Sequence, residues 1–160
     1  MPTKAQVNNA KETALKYIQS MAKGFLSKGT TGEEFLHEDA LWPGGDIFTY
    51  YISKPNFYVK DVEIARKNVN FVNPKDEYII TITVEAETVA SIDNMLNYKE
   101  EKRKVTKRLE LSEQNGEFLI ICDIDNSIYF VSRDSAIEWV EEKKKRDKRF
   151  EDIYMILKDL

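Results

Sequence analysis

Five side chains could carry proton chemistry: His37, Asp39, Asp46, Tyr50 and Tyr51. A tyrosine and an aspartate facing one apolar pocket could run isomerase-type chemistry, because desolvation raises a carboxylic acid's pKa. His37, the single histidine, belongs to the residue type whose ordinary pKa lies near 6.5 and suits a general base. The plainer reading puts His37, Glu38 and Asp39 at an exposed helix end. Tyr50 and Tyr51 then pack with their hydroxyls at a rim. Cys122 is the lone cysteine, so no intrachain disulfide forms. Ile120, Ile121 and Ile124 around it mark a buried small hydrophobe. A metal site needs several convergent ligands. One histidine, one cysteine and scattered carboxylates show no such spacing, and no metal or cofactor is expected.

Charge narrows the function classes. The chain has 160 residues and a net charge of -4, so the domain-wide basic footprint of a nucleic-acid binder is missing. Two local basic clusters exist: Lys99, Lys102, Arg103, Lys104, Lys107 and Arg108, and Lys143 to Arg149. Acidic residues lie among both, Glu100 and Glu101 in the first and Glu141, Glu142, Asp147 and Glu151 in and around the second, which marks solvated faces. The sharper lead is apolar. Phe150, Ile153, Tyr154 and Leu157 recur at helical spacing beyond a segment with no apolar residue. Such a stripe folds back on its own domain or docks on another chain. A protein partner or self-association is the expected use, with a small-molecule ligand as the alternative. No apolar run approaches the roughly 18 residues that span a bilayer. The chain reads as cytoplasmic if complete, and as extracytoplasmic if an N-terminal anchor has been removed.

The positioning elements follow from periodicity. Thr3 and Gln6 have capping-box spacing, and Val7, Ala10, Ala14, Ile18, Met21 and Phe25 follow at helical intervals, ending near Lys28-Gly29. Thr31 and Glu34 repeat the box ahead of a short helix through Phe35 and Leu36, stopped by Trp42-Pro43-Gly44-Gly45. Ile47 to Ile52 reads as a short strand, and Ser53-Lys54-Pro55-Asn56 as a turn. From Phe57 to Val72 the alternation slips, first between Val59 and Val62 and again before Val69 and Phe71. Phase slips of this kind mark β-bulges, which bend a strand. Asn73-Pro74-Lys75-Asp76 is the next turn. Tyr78, Ile80, Ile82, Val84 and Ala86 alternate cleanly, giving one buried and one wet face. Ala90 to Lys99 reads as a loop or distorted hairpin end. A type I′ turn at Asn115-Gly116 sets Leu111 opposite Ile120, Leu109 opposite Cys122 and Arg108 opposite Asp123. The hollow of the sheet is then aliphatic and lacks an acid or base, the thiol aside. Ser132 caps one C-terminal helix with a polar, solvent-bridging middle.

This order resembles the nuclear transport factor 2-like superfamily, the cystatin-like cone. Phe35-Leu36-His37-Glu38-Asp39-Ala40-Leu41-Trp42 is similar to the helix-end segment of SnoaL-like members, and Gly116-Glu117-Phe118-Leu119-Ile120 to the family's late strand. The likeness covers Ala5 to Asp125. It implies an α+β fold: a strongly curved antiparallel sheet backed by N-terminal helices, over residues 1–131. Residues 132–160 add a C-terminal helix. Three roles occur in the superfamily: isomerases or dehydratases with a pocket in the cone, binding or dimerisation modules, and soluble domains of bacterial conjugation or type IV secretion channels. Fold alone does not choose among them. The aliphatic hollow and the C-terminal stripe favour a non-enzymatic, oligomeric assembly domain. A SnoaL-like ligand binder or enzyme using Asp39, Tyr50, Tyr51 and His37 is the alternative.

Overall fold

A computed structural model describes residues 1–24, 32–41, 48–68 and 76–160. Helix α1, Lys4–Gly24, begins with the expected reciprocal cap. The Thr3 amide donates to Gln6 Oε1 at 2.8 Å, and the Gln6 amide to Thr3 Oγ1 at 3.2 Å. Its stripe of Ala10, Ala14, Tyr17 and Ile18 is buried against the sheet. The two alanines let the helix approach closely. The expected helix end at Lys28-Gly29, the Trp42-Pro43-Gly44-Gly45 breaker, Asp46, the slip at Val69 and Phe71, and most of the 73–76 turn lie outside the described residues.

The second expected helix does not form. A single 3-10 turn, Glu33–Phe35, follows Gly32, whose φ of 83° is left-handed. The chain then extends as β1, Leu36–Leu41, parallel to the later strand β5, Glu117–Asp123. Pairing with a strand far along the chain overrides the local capping signal, as tertiary context often does.

Among the described residues six strands form one curled sheet in the order β1-β5-β4-β3-β2-β6. The others are β2 (Thr49–Asn68), β3 (Asp76–Asp93), β4 (Tyr98–Gln114), β5 (Glu117–Asp123) and β6 (Ile128–Ser132). The fold is α+β, but the sheet is mixed: β1 with β5 and β2 with β6 run parallel, and the inner pairs antiparallel. Ser53-Lys54-Pro55-Asn56 is not a turn. It is an irregular stretch within β2, between the pairs Ser53–Thr88 and Phe57–Ala86. The expected slip between Val59 and Val62 is a bulge at Lys60, between Val59–Val84 and Asp61–Thr83. These bulges and a third in the β3–β4 pairing, between Thr88 and Ala90, bend and twist the sheet into a half-barrel. The Ala90 to Lys99 segment is mostly strand, closed by a turn in which Asp93 Oδ1 accepts from the Met95 and Asn97 amides.

The β4–β5 turn has φ of 53° at Asn115 and 86° at Gly116, the two positive values that type I′ requires. No atom would crowd a Cβ at Gly116, so Gly116→Ala carries only the left-handed backbone cost. A loss of about 1–2 kcal/mol is expected in urea melts.

Two core clusters fill the structure. In the first, α1 packs on Ile80, Ile82, Val84, Leu109, Leu111 and Ile120. The second joins Ile52, Ala90, Ile92 and Val131 to the C-terminal helices. These are two helices, not one: α2, Arg133–Lys144, capped by Ser132 as expected, and α3, Arg149–Asp159. The all-polar stretch supplies the break between them, and α3 folds back on α2. Among the described residues no helix is long and apolar enough to cross a membrane.

Candidate functional site

The four pocket candidates do not converge. His37 lies on β1, not at a helix end, and is buried. Its Nδ1 accepts the Asp39 amide at 3.0 Å, so Nε2 carries the proton and donates to the Glu113 carbonyl at 3.2 Å. Both ring nitrogens are thus engaged by backbone. His37 and Asp39 border an open cleft of about 620 Å³ that also carries Glu38, Asp76, Glu77 and Glu113. This acidic rim disfavours anions, and no three His, Cys, Asp or Glu among the described residues are grouped to hold a metal. Tyr50 and Tyr51, being neighbours on a strand, face opposite sides. Tyr50 stacks on Tyr129 and meets Trp139 beside the second core. Tyr51 packs on the first cluster under the Arg103 guanidinium.

The expectation of an aliphatic hollow without an acid or base fails: Lys107 and Asp123 are buried in it. The hairpin register holds at Leu111–Ile120, then slips by one residue, so Glu110 faces Cys122 and Leu109 faces Asp123. Cys122 turns off the core face and is half-buried. Asp123 turns inward. Arg108 instead forks onto Asp125 at 3.0 and 3.1 Å.

Inside the hollow Lys107 Nζ lies 2.9 Å from Asp123 Oδ2, and both side chains are more than nine-tenths buried. The ammonium also donates to the Ile128 carbonyl of β6 and sits 5.0 Å from the Tyr129 ring centre. A β4 side chain thus reaches the far edge strand across the curl. Tyr17 of α1 donates to Asp123 Oδ2 at 3.3 Å. Asp123 Oδ1 has no hydrogen-bond partner among the described residues. Burial pushes the Asp123 carboxyl up and the Lys107 ammonium down, although each charge supports the other. Burial and the nearby Asp123 also raise the Tyr17 phenol. The crevice beside Asp123 has no room for a water molecule. An amine, a carboxyl and a phenol are together here, but no substrate-sized space adjoins them among the described residues.

The C-terminal stripe is used within the chain. Phe150, Ile153 and Leu157 are buried in the second core, with Tyr154 partly buried beside them. Lys144 lies 3.6 Å from the Tyr154 ring centre, and Arg133 donates to the Leu157 and Lys158 carbonyls.

Among the described residues β1 and β6 are the edge strands, and the outer edge of β2 is open beyond the reach of β6. β6 covers β2 only from Thr49 to Ser53. At Ser132 the chain leaves into α2, and from Lys54 to Lys67 the outer edge of β2 faces no strand among the described residues. Where β6 departs, a groove of about 850 Å³ opens between Ala22 and Lys23 of α1, Pro55 and Phe57 of β2, and Ser132 to Ser135. Beyond Ser53, none of the side chains from Lys54 to Lys67 is fully buried. Tyr58 and Ile64 are among the few exposed large hydrophobics. No family model, curated protein or solved structure matches the chain.

Proposed function

We propose that this chain is a non-enzymatic protein-interaction domain that takes an extended segment of a partner along the open edge of β2. The observation that carries this reading is the run from Lys54 to Lys67, which pairs with no outer strand among the described residues and is flanked by the groove where β6 ends. An exposed edge presents a row of free amides and carbonyls, and main-chain pairing supplies affinity while alternate side chains supply selectivity. Bulges, Pro55 and several lysines blunt the edge against indiscriminate pairing. Ile64 on the core face of β2 and Tyr58 on the opposite face offer exposed apolar contacts to a chosen partner, while Val59 and Val62 pack on the first core cluster. The likeness to nuclear transport factor 2-like assembly domains, including those of conjugation and type IV secretion channels, fits such a role. The enzyme alternative has less support, because the Lys107–Asp123–Tyr17 cluster lies in a filled core.

Display of random extended peptides tests this reading. Selected binders are expected to weaken about tenfold or more with Tyr58→Lys plus Ile64→Lys, and to keep their affinity with Met155→Ala plus Ile156→Ala on α3. Binders indifferent to the β2 changes would contradict it.

A further inference from the structure

We propose that the segment received by the β2 edge is the same edge of a second copy, paired antiparallel about Ile64 to join two sheets into one. This inference rests on the strand-accepting reading and names its partner. From Asp61 to Lys67 the pairing of β2 with β3 is regular, so Val62, Ile64 and Arg66 share one face and Asp61, Glu63, Ala65 and Lys67 the other. A two-fold axis perpendicular to the sheet keeps each face, so only residues of one face can meet across it.

That leaves few registers, and charge separates them. Val62 on the axis would set Asp61 against Glu63 twice. Glu63 or Arg66 on the axis would meet its own like charge. Ala65 on the axis pairs Glu63 with Lys67 and sets an aliphatic side chain against Arg66; it differs from an Ile64 axis in placing Ala65 at the self-contact where Ile64, the exposed large hydrophobic, would stand. With Ile64 on the axis, Ile64 meets Ile64, Asp61 meets Lys67 twice, Glu63 meets Ala65, and Val62 meets the stem of Arg66. No like charges then face one another, the arrangement that favours cross-strand pairing. Asp61 is exposed and makes no ion pair among the described residues. Lys67 holds Glu110 at 2.8 Å yet stays half-exposed, with donors to spare. Arg66 lies 5.6 Å from the Tyr78 ring centre, which keeps its charge to the side.

The test uses the full chain. In a Cys122→Ser background, Ile64→Cys is expected to give an interchain disulfide under mild oxidation, whereas Glu12→Cys on α1 is not. With native cysteine, sedimentation equilibrium at submillimolar concentration is expected to show a dimer. Asp61→Lys should weaken that dimer about tenfold, and Asp61→Lys with Lys67→Asp should restore it. These substitutions are on exposed positions, and circular dichroism checks their folding. A chain that stays monomeric and does not crosslink overturns the self-pairing. If selected peptides still bind the edge, the strand-accepting reading stands without it; if they do not, both fall.

Discussion

Asp123→Leu alone is expected to destabilise the fold by about 3–5 kcal/mol, because it strands the Lys107 ammonium in the core without a counter-charge. Lys107→Met should cost a similar amount by stranding the carboxylate. The pair Lys107→Met with Asp123→Leu should recover most of the loss and can exceed the parent, since an apolar pair avoids two desolvation penalties. Asp123 Oδ1, without a hydrogen-bond partner among the described residues, adds to the parent's cost. Urea denaturation of the four proteins closes the cycle.

The pH dependence has a definite sense. Burial raises the Asp123 carboxyl, so its cost is absent below about pH 4 and grows as pH rises through the folded-state value. Burial lowers the Lys107 ammonium, so its cost is full below the folded-state value and fades as pH climbs from there toward about 10.4. The advantage of the apolar pair is therefore expected to shrink toward acid, as the Asp123 cost vanishes, and toward strong base, as the Lys107 cost vanishes. A double variant as unstable as either single would show that Lys107 matters for its reach to β6 more than for its charge.

Leu157→Ala carries the second large effect, a loss of about 2–5 kcal/mol. Leu157 of α3 is fully buried in the second core cluster, and the smaller side chain leaves a cavity. If the α3 stripe served a partner, the same change would leave the isolated chain's urea midpoint nearly unmoved and weaken an interaction instead. The exposed Met155 is the internal control: Met155→Ala is expected to shift stability by no more than about 0.5 kcal/mol.

Much of the architecture was legible because it is written at short range. The Thr3–Gln6 cap, the Asn115-Gly116 turn, the Ser132 cap and the clean alternation from Tyr78 to Ala86 each use neighbouring residues. The bulge at Lys60 was visible as a parity slip. What failed depends on distant partners. β1 looked helical because its capping signal is local, while its pairing with β5 is not. The one-residue slip after Leu111 left no mark in the pattern, and it exchanged Cys122 for Asp123 in the core. Lys107 did leave a mark: it falls in phase with Val105, Leu109 and Leu111. Grouping it with the neighbouring basic residues concealed that. The open edge of β2 follows from where β6 stops, which no local signal encodes.

Amide hydrogen exchange of the dilute, monomeric chain tests the central claim most directly. If the outer edge of β2 is unpaired, alternate amides between Asn56 and Lys67 should exchange at nearly unprotected rates while those facing β3 are slow. Uniform protection of both sets along β2 would mean that the edge is already covered, and the proposed interaction surface would not exist.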